Sequence, residues 1–276
     1  MMPVSRTVVA LPILADGAPR PPAMFDVDLD AQDNSLFAVG TGETATHVMF
    51  GRGALVRLPA PLYSCRVRLL DPRTALVWGA VRPSNGEPNA WMVDSTGSIR
   101  QTFSPIQYCA DALCTENYIV LTYFEDQIGR GDAVSAEGLA VFDRNGRFLW
   151  GWNGTIREAA RIGDCDAVVG LGANLIGIFA SDEFPLVVAD LATHQPVATH
   201  HPTPRVLHGA HAISMRDGAW YFVGPYGNKE AILLWHPGRG EPEIAGHVPA
   251  RRRFRGLQGG RFISVAQDDA EVLTLG

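Results

Sequence analysis

This sequence lacks the features that mark several large classes of protein. It has four cysteines in 276 residues, and no two of them form a Cys-x-x-Cys pair. It has no apolar segment long enough to cross a membrane as a helix, and no amphipathic helical period longer than a turn or two. It also lacks a glycine-rich phosphate loop, a serine nucleophile elbow and an HExxH-like pattern. These absences argue against a membrane-spanning protein, an α-helical protein and the enzymes that such motifs identify.

Charge and cysteine usage indicate a compartment and exclude one kind of partner. The 23 basic and 29 acidic residues give a net charge of −6, and the only basic run, Arg251 to Arg253, diverges in an extended chain. We therefore expect no nucleic-acid partner. The cysteines are typical of buried, reduced thiols, and the apolar run at residues 8–14 is too short for a signal peptide. We expect a cytoplasmic monomer that does not bind membranes.

A β-hairpin with strong turn chemistry recurs along the chain. In residues 138–150, two apolar runs flank Asp143-Arg-Asn-Gly146, where Asp bonds nearby amides and Gly tolerates positive φ. The equivalent positions along the chain are Phe50, Asp94, Asp143, Asp190 and Trp235, with successive steps of 44, 49, 47 and 45 residues. A period in this range is typical of a β-propeller with one four-stranded blade per repeat.

The repeats predict one all-β domain that spans residues 1–276. Five complete blades are expected at about 24–58, 63–103, 107–152, 157–199 and 205–247, each with strands A to D. The last segment supplies only three strands, and residues 6–14 form a strand without a blade. Closing the ring removes two exposed sheet edges, so we expect the N-terminal strand to complete a sixth blade.

Part of the chain resembles known propeller families. Tyr123-Phe-Glu-Asp-Gln-Ile-Gly129, the hairpin at 138–146 and Ile162-Gly-Asp-Cys-Asp-Ala167 resemble uncharacterised bacterial propeller-like proteins. The hairpin also resembles the repeats of NHL and gluconolactonase-type six-bladed propellers. The lactonase type implies a Glu, Asn and Asp set around a divalent metal, and no residues of this sequence are assigned to that set.

Loops that follow the B strands supply one group of candidate binding residues. B–C loops of neighbouring blades lie side by side on one rim of a propeller, and long loops on a rigid scaffold often bind partners. The predicted rim residues are Glu125, Asp126, Asp182, Glu183, Tyr226 and Lys229. The carboxylates of the four acids could bind Ca²⁺ or a basic partner, but the favoured explanation is a solvated acidic rim.

Charged residues of the inner strands form a second group. The predicted channel-lining residues are Asp28, Arg66, Asp111, Asp164, His208 and Arg255. Partly buried charges need partners, so mutual pairing, such as Asp28 with Arg66, is one interpretation. A polar pocket for a small anion or a sugar-like molecule is the other. The histidines between His194 and His211 diverge in an extended chain, so we predict no metal site there.

These patterns favour a binding module that acts through the rim of B–C and D–A loops. Its partner would be a protein or a small polar ligand, without a required cofactor. The alternative is a metal-assisted hydrolase or lactonase with its site at the mouth of the central channel. No residue is assigned a catalytic role, because a propeller hosts many functions.

Overall fold

The computed structural model confirms an all-β, six-bladed propeller of four-stranded antiparallel sheets. It describes residues 4–10, 23–51, 53–79, 88–103, 109–124, 133–156, 161–165, 167–180, 183–249, 252–266 and 269–276. No helix among these residues has the length and apolar character needed to cross a membrane.

Each of the first five blades uses four consecutive strands, from A at the inside to D at the outside. Blade one contains β2 (Ala23–Leu29), β3 (Ser35–Thr41), β4 (Thr44–Phe50) and β5 (Ala54–Tyr63). Blade two contains β6 (Cys65–Asp71), β7 (Thr74–Gly79), β8 (Ala90–Asp94) and β9 (Ile99–Phe103). Blade three contains β10 (Cys109–Cys114), β11 (Tyr118–Tyr123), β12 (Leu139–Asp143) and β13 (Phe148–Gly151).

The remaining blades follow the same plan. Blade four contains β14 (Ala167–Gly170), β15 (Leu175–Phe179), β16 (Leu186–Asp190) and β17 (Gln195–His200). Blade five contains β18 (Ala212–Arg216), β19 (Ala219–Val223), β20 (Ala231–Trp235) and β21 (Glu243–His247). Blade six contains β22 (Phe254–Leu257), β23 (Arg261–Ala266), β24 (Asp269–Leu275) and the N-terminal strand β1 (Val4–Ala10).

Strand β1 completes the last blade, as the sequence predicts. The strand order of that sheet is β1-β24-β23-β22, so the first strand of the chain pairs with the last. The Ser5 hydroxyl donates to the Thr274 carbonyl over 3.5 Å, and the Arg6 guanidinium donates to the His247 carbonyl over 3.1 Å. Strand β1 thus covers the outer edge of β24, which would otherwise be an exposed edge of the sheet.

The predicted turn chemistry is present at the C–D turns. The Asp143 carboxylate accepts hydrogen bonds from the backbone N–H groups of Asn145 and Arg147, each at 2.9 Å, and Gly146 has a φ of 80°. Asp94 accepts from the backbone N–H groups of Thr96 and Ser98 in the equivalent turn. Side-chain acceptors and a left-handed glycine therefore fix both hairpins, which is why this motif is visible in the sequence.

Two details differ from the sequence prediction. Blade one ends at Tyr63, because β5 continues through Pro59 and Pro61. Proline is tolerated there because β5 is the outer strand of its sheet, where an N–H group has no strand to pair with. Blade three is followed by a single helical turn, α1 (Trp152–Thr155), and its B–C loop contains a 3-10 turn (Ser135–Glu137).

The chain divides into two compact units. One contains residues 1–7, 109–264 and 272–276, and the other contains residues 8–108 and 265–271. In each unit the apolar core consists of buried side chains contributed by neighbouring blades: Leu36, Val48, Val67 and Val77 in the second unit, and Ile178, Val187, Phe222 and Leu233 in the first. The alternating strands thus bury both faces of most blades, and loops are left to carry binding residues.

Candidate functional site

Three ring-bearing residues of blades four and five meet on one rim. Phe184 lies in the B–C loop of blade four, Tyr226 lies in the B–C loop of blade five, and His208 lies in the connection between the two blades. In a blade of four antiparallel strands, the B–C loop and the D–A connection leave the sheet at the same end. The three residues therefore belong to the rim that the sequence analysis selects.

The backbone that presents Phe184 adopts an unusual conformation. Glu183 has a φ of 56° and Phe184 has a φ of 50°, so two consecutive non-glycine residues lie in the left-handed region. This conformation is uncommon for bulky side chains and costs free energy, and such strain is concentrated at functional sites. The Thr203 hydroxyl donates a hydrogen bond of 2.8 Å to the Phe184 carbonyl and holds the loop in place.

Phe184 packs between two other rings at the rim. Its ring stacks on the imidazole of His208, with centroids 4.4 Å apart and planes inclined by 21°. The Tyr226 ring meets it edge to face, with centroids 6.0 Å apart and planes inclined by 86°. Both geometries are favourable for aromatic pairs, so the three rings orient one another.

Tyr226 is fixed by contacts on one side and is open on the other. A Cβ atom on Gly209 would lie 2.2 to 2.4 Å from three adjacent ring carbons of Tyr226, so the glycine lies against the face of the ring. The Tyr226 N–H group also donates to the His208 carbonyl over 2.9 Å. Even so, 68% of Tyr226 is exposed to solvent. The rim therefore presents a supported aromatic surface.

His208 carries a hydrogen-bond acceptor without a partner. Its Nε2 atom is inaccessible to solvent and bonds to no other atom among the residues that the structure describes. Burial lowers the pKa of His208, and the nearby charges of Arg205 and His201 lower it further. A hydrogen bond to the Thr203 backbone raises the pKa in part, but the net shift is downward. Since Nε2 bonds to none of the described residues, the hydrogen bond to the Thr203 backbone belongs to the other ring nitrogen, Nδ1. At neutral pH the ring is uncharged and Nε2 is an acceptor.

Glu183, which precedes Phe184 in the chain, has an exposed carboxylate. The Glu183 Oε2 atom lies 3.6 Å from Nε2 of His201, and the two side chains are 74% and 43% exposed. An exposed pair at this distance contributes little to stability, so the carboxylate is available to a ligand.

The structure unites some of the predicted site residues and separates others. Glu183 and Tyr226 join His208, which was predicted with the channel group, around Phe184. Lys229 is exposed on the same loop as Tyr226. Glu125, Asp126 and Asp182 lie outside the described residues. Phe184, Thr203 and Gly209 were not predicted as site residues, although the left-handed backbone at Gly209 is a role that glycine commonly has.

The buried aspartates of β2 in blade one bond to residues of β6 in blade two. Asp28 is buried and accepts the Leu69 N–H group over 2.7 Å, whereas Arg66 is exposed. The buried ion pair joins Asp26 and Arg68 over 2.8 Å, rather than Asp28 and Arg66. The remaining predicted residues of this group are half-buried: Asp111, Asp164 and Arg255.

The other histidines have separate surroundings. His211 accepts the Phe254 N–H group over 3.2 Å, and His194 packs on Trp150 with ring centroids 4.8 Å apart. Among the described residues, no three His, Cys, Asp or Glu side chains are grouped so as to hold a metal ion. None of the four cysteines, Cys65, Cys109, Cys114 and Cys165, forms a disulfide bond.

Comparison with known proteins places the chain in the structural class of β-propellers. No family model and no curated protein matches the sequence, so the resemblance to NHL and gluconolactonase-type propellers stays an expectation. Three solved structures of similar fold are 10% or 11% identical to this chain, and this similarity shows the fold alone.

The structural relatives come from different organisms. BamB from Moraxella catarrhalis has a TM-score of 0.51, at 11% identity over 99% of this chain and 98% of that chain. Virginiamycin B lyase from Staphylococcus aureus, in complex with quinupristin, has a TM-score of 0.50, at 10% identity over 99% and 100%. The Swd1 propeller domain from Myceliophteria thermophila has a TM-score of 0.53, at 11% identity over 92% and 83%.

Proposed function

We propose that this chain is a binding module that holds a segment of a partner protein on the rim of B–C and D–A loops of blades four and five. The observation that carries the proposal is the supported, 68% exposed ring of Tyr226 beside the strained Phe184 loop. Exposed aromatic residues with fixed orientation are enriched where proteins bind one another, because they bury a large area at a small cost in side-chain entropy.

The backbone at Phe184 supports this location. A left-handed Glu183-Phe184 pair lowers the stability of the loop and persists because Thr203 and His208 hold it. Single left-handed residues without glycine also occur in turns of the opposite rim, at Asp33, His194 and Asp217. The B–C loop of blade four differs from these turns because two consecutive residues are left-handed and one of them is a bulky aromatic residue.

A cytoplasmic location belongs to the same proposal. Four cysteines that form no disulfide bond are typical of proteins from a reducing compartment, where disulfides do not persist.

Site-specific photo-crosslinking in the cells that produce the protein tests the rim. A photoreactive amino acid is placed at position 226 in one variant and at position 145, an exposed residue of the opposite rim, in a second. We expect a crosslinked partner from position 226 and none from position 145. Crosslinking from position 145 alone, or no product from position 226, contradicts the proposal.

A purified partner then allows a direct measurement. Tyr226→Ala should weaken binding about tenfold or more, which is the behaviour of an interface hot spot, whereas Asn145→Ala should leave the affinity unchanged. Equal effects of the two substitutions would place the binding surface elsewhere.

A further inference from the structure

The ring cluster at the rim consists mainly of electron-rich groups. The faces of Phe184 and Tyr226 carry the negative part of the aromatic quadrupole. The Glu183 carboxylate is 74% exposed. Nε2 of His208 is a lone-pair acceptor without a partner among the described residues. These four groups share one property, because each attracts a positively charged hydrogen-bond donor.

The unsatisfied imidazole nitrogen specifies the missing group further. A buried polar atom that lacks a hydrogen bond costs free energy, and such atoms in native structures call for an explanation. Since Nε2 bonds to nothing in the described part of the chain and Nδ1 is used by the Thr203 backbone, Nε2 can only accept. The group that satisfies it must therefore carry an N–H or O–H bond, which neither a carboxylate nor an apolar side chain provides.

The geometry favours a planar cation. Guanidinium groups stack on aromatic faces and also form paired hydrogen bonds with carboxylates. Here Tyr226, which is 68% exposed, lies beside Phe184, and Glu183 is the immediate neighbour of Phe184 in the chain. An ammonium group is a compact charge that can lie on an aromatic ring or bind a carboxylate. It lacks the planar shape that lets a guanidinium stack on a ring and form paired hydrogen bonds with a carboxylate at the same time.

We propose that Phe184, Tyr226, Glu183 and His208 form a binding site for an arginine side chain of the partner segment. The inference rests on the proposed function and names the chemistry that the rim recognises. The guanidinium lies on the Tyr226 ring, donates to the Glu183 carboxylate and, after a small displacement of the Phe184 loop, donates to Nε2 of His208.

Two basic side chains near the site modulate this interaction. Arg205 is exposed and close enough to lower the pKa of His208, and Lys229 is exposed on the Tyr226 loop. Both repel an incoming cation, but solvent and salt screen exposed charges strongly. Lys229→Gln should therefore tighten binding of an arginine ligand about twofold, because one screened repulsion is removed.

The direct test uses small peptides of defined charge on the full chain. The probe is an acetylated, amidated glycine-arginine-glycine tripeptide, and the matched control replaces arginine with citrulline, which has the same shape without the charge. Binding is followed by chemical-shift perturbation in ¹H–¹⁵N spectra. We expect the arginine peptide to shift the amides of Phe184 and Tyr226 and to bind at least about fivefold more tightly than the citrulline peptide, as a cation–π contact near the surface predicts.

Variants assign the contribution of each group. Tyr226→Leu should weaken binding of the arginine peptide about two- to fivefold. Tyr226→Phe should keep most of the affinity, because phenylalanine retains the aromatic face. Glu183→Gln should weaken it by a similar factor and reduce its dependence on salt. Asn145→Ala on the opposite rim is the control and should have no effect.

Three outcomes overturn the inference. Equal shifts of Phe184 and Tyr226 by the citrulline peptide would show a binding rim that does not select a cation, which leaves the proposed function intact. Preferential binding of a glycine-glutamate-glycine peptide would show an anion site. Shifts confined to other blades would place cation binding elsewhere, whereas failure of the crosslink at position 226 would remove the proposed function itself.

Discussion

Gly209 supports the ring of Tyr226, and no other residue type fits between the two. The glycine has a φ of +80°, and an added Cβ atom would lie 2.2 Å from the Tyr226 ring. Two independent reasons therefore require glycine, the backbone conformation and the contact. The exposed aromatic ring depends on a small residue that itself binds nothing.

The Gly209→Ala substitution tests this dependence. Gly218 offers a matched control, because its φ is +76° and a Cβ atom there meets nothing within 4 Å. We expect Gly218→Ala to lower the free energy of unfolding by about 1 kcal/mol from backbone strain alone. Gly209→Ala should cost about 1 to 3 kcal/mol more, because the added methyl group displaces a packed ring. Urea denaturation measures both values, and equal losses would contradict the packing of Tyr226 on Gly209.

The buried Asp26–Arg68 pair predicts a large effect on stability. Their side chains are only 5% and 4% exposed, and the Asp26 carboxylate also accepts the Val67 N–H group. Asp26→Asn should lower the free energy of unfolding by about 3 to 5 kcal/mol, because it leaves a buried guanidinium without its counter-charge. Arg147→Gln breaks an ion pair in which Arg147 is 80% exposed, and it should change stability by less than about 1 kcal/mol. A small effect of Asp26→Asn in denaturant titrations would contradict this assignment.

The lowered pKa of Asp94 leads us to expect that the stability of the protein depends on pH. A hydrogen bond from the Thr96 hydroxyl, together with the Ser98 and Thr96 N–H groups and Arg100, lowers the pKa of Asp94 well below its ordinary value. A carboxyl whose pKa is depressed by folding stabilises the folded state above its unfolded pKa of about 3.9 and loses that contribution as the pH falls below it. Asp94→Asn should therefore be less stable than the natural protein at pH 7.

The difference between Asp94→Asn and the natural protein should shrink steadily once the pH falls below about 4. Asp190→Asn is the control, because the described contacts of Asp190 are backbone N–H groups of Ala192 and Thr193. Thermal melts between pH 7 and pH 2 measure both variants. A difference that stays constant over this range would show that Asp94 acts through geometry rather than charge.

Removal of β1 should destabilise the last blade. Deleting residues 1–10 leaves one side of β24 without a partner and removes the Arg6 hydrogen bond to His247. We expect the melting temperature to fall by more than about 5 °C and the protein to aggregate, because an exposed strand edge recruits other chains. Deleting only residues 1–3 is the control. A truncated protein that melts like the full chain would argue against closure by β1.

Local signals in the sequence were sufficient to predict the fold. The Asp143 and Asp94 turns, the alternating strands and the near-constant repeat are short-range patterns, and each is decided by residues a few positions apart. The unpaired strand at the N-terminus and the three-stranded last segment predicted ring closure, because every strand edge must be paired or covered. The extension of β5 to Tyr63 was missed, since proline in an outer strand is compatible with both a strand and a connection.

The site was predicted only in part. Glu183 and Tyr226 were selected because they lie in equivalent loops, and His208 was selected for its charge but assigned to the channel. The sequence determined which loops share a rim, because strand order alone fixes the end of the blade at which each loop emerges. Only the tertiary structure decided that Phe184 stacks on His208 and that Gly209 supports Tyr226. Those contacts join residues far apart in the chain and depend on backbone conformations, two of them left-handed without glycine, that no local pattern encodes.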